Sequence, residues 1–416
     1  MTRLQMNALS GTRLVIAVCV AQVLVQIGAF FWPVLLPTLV PAWHLTNAEA
    51  GWITAAFYGA YMLAVPILVT LTDRVDAKLI YLIGVACTIS GHLAFGFMAD
   101  GFWSALLLRA LAGVGWAGTY MTGVKLLADK VDAKLMSRAV AGHAASIGVS
   151  GALSFACAAI LAQRYGWRSA FIAVGLSAFV AWLVVATCAP RRAAPPPAAA
   201  DGGLFDFRPV FRNRSAMAYA QAYCVHTLEM NALRGWGVAF LSYVAASTGG
   251  HGWQLSPAYV LTTLGLIGTA ASVLGNELAI RLGRRKLISF AMLGSIVIGG
   301  SIGFLGSASY SVAVVLLLAY GFVVWLDSSS LTAGSAGTAD PARRGATLAV
   351  HSSLGYAGGF VGPLVIGYTI DALGGMSRES WGTAFLLIAI LMLGALLAFR
   401  WLRPRELAGD AAQEPA

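Results

Sequence analysis

Apolar stretches of about 20 residues recur along nearly the whole chain and constrain its fold more than any other feature. A helix of about 20 apolar residues spans the hydrocarbon core of a bilayer. Hydropathy and turn residues predict twelve such helices, at residues 12–39, 48–71, 79–99, 102–127, 138–162, 168–189, 214–246, 257–281, 286–306, 310–333, 345–370 and 380–403. We therefore expect an all-α membrane protein with short connections and no large soluble domain.

The composition supports a membrane protein and argues against a nucleic-acid partner. Hydrophobic residues make up 59% of the chain and charged residues only 11%, whereas soluble domains contain about 25% charged residues. The net charge of +10 arises from basic clusters between the spans, which membrane topology explains. The N-terminal apolar run lacks a small-residue cleavage site, so we expect a retained first helix and not a cleaved signal peptide.

The distribution of basic residues predicts the orientation. With the N-terminus in the cytoplasm, 22 of the 27 basic residues fall in cytoplasmic segments. Arg164, Arg168 and Arg378 fall outside, and Arg109 and Arg234 lie within spans. This bias predicts a multi-pass protein of a bacterial-type inner membrane, with both termini in the cytoplasm.

A linker rich in Pro, Ala and Arg divides the twelve helices into two sets of six. The predicted domains are an N-terminal bundle, a cytoplasmic linker, a C-terminal bundle and a cytoplasmic tail, at residues 1–189, 190–213, 214–403 and 404–416. "HAASIGVSG" from His143 aligns with "HSSLGYAGG" from His351 at an offset of 208, and "DRVDAKL" aligns with "IRLGRRK" at 207. These matches predict duplicated, pseudo-symmetric halves.

The turn between the second and third predicted helices carries a motif found in a known family. "VTLTDRVDAKL" resembles the Gly-x-Leu-x-Asp-Arg-x-Gly-Arg-Lys signature of the major facilitator superfamily, with Asp73 and Arg74 in place. Val69 and Asp76 replace both glycines of that signature. "RALAGVGWAG" and "YGWRSAF" resemble further motifs of the same family, and "RLGRRK" keeps the Gly-Arg-Arg part in the second half. The resemblance covers nearly the whole chain.

The resemblance implies two six-helix bundles around a central cavity lined by helices 1, 4, 7 and 10. It also implies a cytoplasmic gate motif formed by Asp73, Arg74, Arg281 and Arg284. The polar residues within the spans fall on the implied cavity helices, with Gln22 and Gln26 on helix 1, Arg109 on helix 4, His226, Glu229 and Arg234 on helix 7, and Asp327 on helix 10. Charges inside a bilayer are costly and are kept where water, a partner or a substrate meets them.

Two arginines within the spans predict an anionic substrate. Arg109 and Arg234 lie at similar depth, and paired guanidinium groups can hold an anionic group through bidentate hydrogen bonds. The candidate substrate-binding residues are Arg109, Arg234, Gln22, Gln26 and Trp116.

Two carboxyl groups near mid-depth, Glu229 and Asp327, are the candidate proton carriers, because carboxyl groups inside membrane domains often relay protons. Glu229 is the first choice. It has no cation four residues on, so we expect its partner on another helix. A structural alternative is that Arg109, Arg234, Glu229 and Asp327 neutralise one another and only fix helix packing.

These features predict a secondary transporter, not an enzyme, with no catalytic residue, cofactor or metal. It would move a small organic solute, an organic anion, by proton-coupled alternating access, as a symporter that functions as a monomer in the lipid bilayer. The chain contains no Gly-x-x-x-x-Gly-Lys-Ser/Thr loop that would bind ATP phosphates. A proton antiporter that exports drugs or metabolites is the main alternative, although the four core charges sum to zero, whereas a cation exporter would favour an acidic cavity.

A remote alternative is a magnesium-dependent membrane transferase. "DRVDAK" and "DKVDAK" each place two aspartates three residues apart, a spacing that would suit a magnesium site. The Lys and Arg residues between these aspartates would neutralise such a site.

The predicted orientation can be tested with reporter fusions. Fusions at Pro196 and at the C-terminal tail should report a cytoplasmic location, and a fusion at Gly249 should report the opposite side, because the basic residues are so unevenly distributed. A non-cytoplasmic signal at Pro196 would contradict the division into two six-helix halves.

Overall fold

The described regular structure is helical throughout. The structure is a computed structural model that describes residues 9–72, 74–191, 207–249, 255–407 and 410. Its α-helices, α1 to α15 in chain order, are Gly11–Gln26, Phe31–Ala42, Asn47–Leu71, Ala77–Met98, Phe102–Ala117, Tyr120–Lys130, Ala133–Cys188, Arg208–Arg212, Arg214–Ser247, Pro257–Leu282, Arg284–Gly306, Tyr310–Leu326, Ser328–Gly337, Arg344–Ala372 and Arg378–Leu402.

These helices account for the twelve predicted spans. Among the described residues, nine helical stretches are long and apolar enough to cross a membrane. One of them contains two spans, because Gly166 with φ 82° and ψ 158° breaks α7. The other two spans are α5 with α6, which are short because the helix breaks between them, and α9, which carries His226, Glu229 and Arg234. The predicted all-α fold with twelve membrane-spanning helices is thus confirmed.

Contacts divide the chain into two compact units. The first unit contains Met1–Leu35 and Ala56–Asp201, and the second contains Leu36–Ala55 and Gly202–Ala416. Within the first unit, α1 packs on α7, and α4 packs on both α5 and α7. Within the second unit, α14 packs along α9, and α11 packs on α12 and α15. The units differ from the predicted domains at residues 36–55, and those domain boundaries stay a prediction.

The first turn of α3 belongs to the second unit because a side chain of α14 caps it. Asp371 accepts hydrogen bonds from the backbone amides of Asn47 at 3.1 Å and Ala48 at 2.7 Å. A carboxylate at a helix N-terminus satisfies amides that have no partner within the helix. One turn further on, Trp52 Nε1 donates to the hydroxyl of Tyr368 at 2.9 Å. These bonds join the start of α3 to the last turns of α14.

The same helix break occurs in both halves of the sequence. In the first half, α5 ends at Ala117 and α6 begins at Tyr120; in the second half, α12 ends at Leu326 and α13 begins at Ser328. Tyr120 and Ser328 are 208 residues apart, which matches the offset of the sequence repeat. The predicted duplication therefore extends to a local irregularity of the backbone.

Basic side chains satisfy carbonyl groups at helix ends. Arg168 donates to the carbonyl oxygens of Gly96 and Ala99 at the end of α4, both at 3.2 Å. Arg378 donates to the carbonyl of Phe304 near the end of α11 at 3.1 Å. Cations near helix C-termini stabilise these otherwise unpaired carbonyls. Both arginines are among the three basic residues predicted to lie on the non-cytoplasmic side of the membrane. Their bonds to helix-end carbonyls give each of them a structural role.

Glycines allow α9 and α14 to approach closely. A Cβ atom at Gly358 would overlap the carbonyl oxygen of Cys224, and one at Gly362 would overlap that of Leu228. Small residues at such positions increase van der Waals contact between helices in a membrane. This packing fixes the position of the polar residues of α9 within the second unit.

Candidate functional site

Arg109 on α5 is buried in the first unit without an acidic partner among the described residues. Its side chain is only 2% exposed. One guanidinium nitrogen, Nη2, donates to the carbonyl of Ala29 at 3.0 Å, and the guanidinium lies 4.4 Å from the centre of the Phe57 ring. The Nε and Nη1 atoms have no hydrogen-bond partner in the part of the chain that the structure describes. Buried donors are rarely left unpaired, so these two are available to an acceptor.

A small cavity in the first unit adjoins the surroundings of Arg109. Ala29 and Phe57, which contact the Arg109 side chain, both line it together with Gln26, His92 and Trp116. Its volume is about 10 Å³, which is near the space that a single water molecule needs. An organic solute does not fit there in this conformation.

The two glutamines of α1 bond within the first unit. Gln22 Nε2 donates to Gln26 Oε1 at 3.1 Å, and the Tyr81 hydroxyl donates to Gln22 Oε1 at 3.2 Å. Gln22 is completely buried. Its partners therefore give Gln22 a structural role in this conformation, while Gln26 also faces the small cavity.

Trp116 lies in a cluster of aromatic rings. Its ring centroid is 5.0 Å from that of Phe57, 6.4 Å from that of Tyr58 and 5.4 Å from that of Tyr61. Such distances are typical of packed aromatic pairs. The indole contributes to the packing of α3 against α5.

Glu229 is buried in the second unit and held by two hydroxyl groups. The Tyr320 hydroxyl donates to Glu229 Oε1 at 2.6 Å, and Ser295 Oγ donates to Oε2 at 3.1 Å. Tyr320 lies on α12 and Ser295 on α11, so these partners of Glu229 lie on other helices, but they are hydroxyl groups and not cations. Sequence analysis did not identify them, because neither residue is charged.

Asp327 lies at the break between α12 and α13, where it meets His226 of α9. His226 Nδ1 is 2.9 Å from Asp327 Oδ1, and both side chains are buried. His226 stacks on Tyr223, whose ring in turn stacks on that of His351 at 4.1 Å. The sequence analysis singled out Asp327 and His226 separately and did not pair them. His226 Nε2 has no hydrogen-bond partner among the described residues.

The two repeat histidines contact neighbouring helices. His143 Nε2 lies 3.0 Å from the carbonyl of Tyr120, and His351 Nε2 lies 3.2 Å from Thr332 Oγ1. These contacts join α6 to α7 in the first unit and α13 to α14 in the second. Each histidine thus connects the segment after the helix break to the next span.

Arg234 is half-buried on α9 and contacts an aromatic ring. Its guanidinium carbon lies 4.7 Å from the centre of the Trp325 ring on α12, a cation–π distance. Helix α9 is continuous from Arg214 to Ser247, so Arg234 lies about one and a half helical turns after Glu229.

The gate-motif turn is only partly described. Asp73 lies outside the described residues, and Arg74 is exposed. Asp76, which replaces a glycine of the family signature, accepts from the Lys78 amide at 3.0 Å and from Lys130 Nζ at 3.1 Å. The replacement therefore caps the N-terminus of α4 and pairs with a cation of α6.

The two arginines of the second-half motif differ sharply in their surroundings. Arg281 is exposed and pairs with Glu277 one turn earlier, at 2.7 Å. Arg284 is 2% exposed and forms a bidentate pair with Asp410, with bonds of 3.0 and 3.1 Å. It also donates to Asn276 Oδ1 at 3.2 Å. The motif arginine thus binds the C-terminal tail, a partner that sequence analysis did not identify.

Comparison with known proteins identifies the family. A sequence model of the Major Facilitator Superfamily matches residues 18–360. The chain belongs to this superfamily. Its sequence is 26% identical over 404 residues to human protein spinster homolog 1, covering 90% of this chain and 75% of the relative. It is also 26% identical over 331 residues to a putative metabolite transport protein of Haemophilus influenzae, covering 76% of each.

A solved structure shows the same fold. A bacterial homologue of the human lysosomal transporter Spinster superposes with a TM-score of 0.75 and 16% sequence identity, covering 97% of this chain and 99% of that one. The Major Facilitator Superfamily is a family of membrane-embedded solute transporters, so the chain is a multi-pass membrane transporter of a small molecule.

The buried pair between Arg284 and Asp410 should contribute more to stability than the exposed pair between Arg281 and Glu277. Asp410→Asn leaves the buried Arg284 without a counter-charge, so we expect the free energy of unfolding in detergent to fall by about 3 kcal/mol. Glu277→Gln removes the same charge from the exposed pair with Arg281 and should change it by less than about 0.5 kcal/mol. Equal unfolding midpoints for the two variants would contradict a structural role for the tail.

Proposed function

We propose that this transporter carries a small organic anion together with protons, as a monomeric symporter that works by alternating access. It would reside in a bacterial-type inner membrane with both termini in the cytoplasm. The single observation that carries the substrate class is the buried guanidinium of Arg109, whose Nε and Nη1 atoms have no partner among the described residues.

The surroundings of Arg109 favour an anion over a cation. Among the described residues, the guanidinium contacts a carbonyl group of Ala29 and the ring of Phe57, and neither neutralises its charge. A carboxylate or phosphate could accept a charge-assisted hydrogen bond from either of these two N–H groups. A cationic drug would be repelled by the same group, which counts against the efflux alternative.

The size of the adjoining cavity supports a mechanism with at least two conformations. The cavity of about 10 Å³ beside Arg109 is too small for an organic solute. A solute could reach the free donors of Arg109 only after the surrounding helices move. This requirement agrees with alternating access, in which binding and release occur in different conformations.

The name of a relative is consistent with organic solutes. One relative is named a putative metabolite transport protein. We extend from this name only the class of small organic solutes to this chain.

Glu229 is the favoured proton carrier because no cation is among its hydrogen-bond partners in the described part of the chain. The hydroxyls of Tyr320 and Ser295 hold its carboxyl group. Binding or release of a proton by Glu229 therefore changes the charge of this buried region directly. Asp327 differs because the imidazole of His226 lies 2.9 Å from its carboxyl group. A change in buried charge provides a way to couple protonation to a conformational change.

The role of Arg109 predicts a loss of binding. Screening mono- and dicarboxylates for ligands that raise the melting temperature of the purified protein would identify a probe. Arg109→Gln should weaken binding of that probe at least tenfold, because a charge-assisted bond to a buried group contributes about 1.5–3 kcal/mol. Isothermal titration calorimetry would measure the affinity.

Two further variants control for this result. Arg164→Gln removes an exposed arginine of the same unit and should bind the probe as the parent does. Arg109→Lys keeps the charge but loses the planar fork, so its affinity should lie between those of the parent and Arg109→Gln. A folded Arg109→Gln protein with unchanged affinity would exclude Arg109 as a ligand.

The role of Glu229 predicts a loss of coupling without a loss of exchange. In proteoliposomes with an imposed pH gradient, Glu229→Gln should no longer accumulate the probe anion against its gradient, because residue 229 can no longer release a proton. Exchange of labelled for unlabelled probe should continue, because this step needs no net proton movement.

Glu277→Gln is the matched control, since Glu277 is an exposed carboxylate of the same unit, and it should accumulate the probe normally. Continued accumulation by Glu229→Gln, together with its loss in Asp327→Asn, would assign coupling to the pair of Asp327 and His226. Normal accumulation in both variants would exclude proton coupling through either carboxyl group.

A further inference from the structure

Basic side chains line two adjoining pockets on the second unit, where α9 and α11 begin and α15 ends. The first pocket has a volume of about 500 Å³ and is lined by Arg285, Lys286, Arg400, Arg403 and Glu406, among others. The second has a volume of about 680 Å³ and is lined by Arg214 and Arg405 as well as Arg400 and Arg403. Because Arg400 and Arg403 line both pockets, the two pockets adjoin, and together they are here called the basic groove.

The basic groove carries an excess of positive charge that its own residues do not neutralise. Glu406 pairs with Arg285 at 3.1 Å and also accepts from the first backbone amides of α11. Lys286, Arg400 and Arg403 have no acidic partner in the described part of the chain. Like charges that line one pocket repel one another, and an anion bound among them would relieve the repulsion.

Exposed apolar side chains continue from the basic groove along both helices. On α11, Phe290, Leu293 and Val297 are exposed, and they follow Lys286 at spacings of four, three and four residues, which place them on one helix face. On α15, the exposed Leu397 precedes Trp401 by four residues. The groove is therefore the polar end of an apolar surface.

An exposed tryptophan indicates the depth of the groove in the membrane. Trp401 is 73% exposed. Its carbonyl accepts from Arg214 Nη2 at 3.2 Å, and the same guanidinium lies 5.2 Å from the ring centre. Exposed tryptophans of membrane proteins concentrate at the level of the lipid headgroups. This places the arginines of the groove where lipid phosphates lie.

We infer that the basic groove binds the phosphate of an anionic phospholipid, whose acyl chains lie against the exposed faces of α11 and α15. Arginine side chains match the geometry of a phosphate diester, and basic pockets beside membrane helices suit anionic headgroups. Free inorganic phosphate would use the same side chains. The apolar surface next to the groove favours the lipid, because only a lipid makes use of both features.

Native mass spectrometry of the full-length protein can test this inference. We expect phosphatidylglycerol to bind more tightly than phosphatidylcholine with the same acyl chains. Arg400→Gln with Arg403→Gln should weaken phosphatidylglycerol binding about 30-fold, because each basic residue near an anionic lipid surface contributes about a fivefold factor. Arg138→Gln with Arg344→Gln, which removes two exposed arginines outside the groove, should leave binding unchanged.

Three outcomes would overturn the inference. The two double variants could weaken binding equally, which would indicate a diffuse attraction. Inorganic phosphate at millimolar concentration could displace phosphatidylglycerol completely, which would indicate a site for free phosphate. Phosphatidylcholine could bind as tightly as phosphatidylglycerol. A lysine version, Arg400→Lys with Arg403→Lys, guards against misfolding, since it keeps the charges and should retain most of the binding.

Discussion

Hydrocarbon offers no hydrogen bonds, and this constraint governs how the chain uses its few polar side chains. The spans must satisfy their backbone groups within the protein, and several charged residues near helix ends serve as caps. Lys78 donates to the carbonyls of Ala186 and Ala189 at the end of α7, at 2.8 and 2.6 Å. At the other kind of helix end, Asp371 accepts hydrogen bonds from the first backbone amides of α3. Charged residues at these positions therefore stabilise the fold and carry no information about the substrate.

The polar groups that depart from this rule lie deeper in the spans. Two guanidinium nitrogens of Arg109 have no hydrogen-bond partner among the described residues. One ring nitrogen of His226 also has none among them. Glu229 is satisfied, but only by neutral hydroxyl groups. A buried polar group without full compensation costs stability, and chains retain such groups where function requires them. The residues that we propose to act in transport, Arg109 and Glu229, belong to this group of buried side chains.

Periodicity and composition were sufficient to predict the helices but not their partners. The predicted spans agree with the observed helices to within a few residues, since the length and polarity of each segment determine its place in the membrane. The breaks before Tyr120 and at Asp327 were not predicted, because Gly and Asp interrupt an apolar run without shortening it. Glu229 was identified as buried, yet its bond to Tyr320 depends on the register between distant helices, which a single sequence does not encode locally.

The pairing of Arg284 with Asp410 also has a consequence for how the protein is made. The two residues are 126 positions apart in the sequence. During synthesis Arg284 enters the membrane domain long before its counter-charge leaves the ribosome. The pair can therefore form only after the whole segment between its two members has been synthesised. A stop codon or a fusion placed before residue 410 would act on an arginine more than 100 residues upstream.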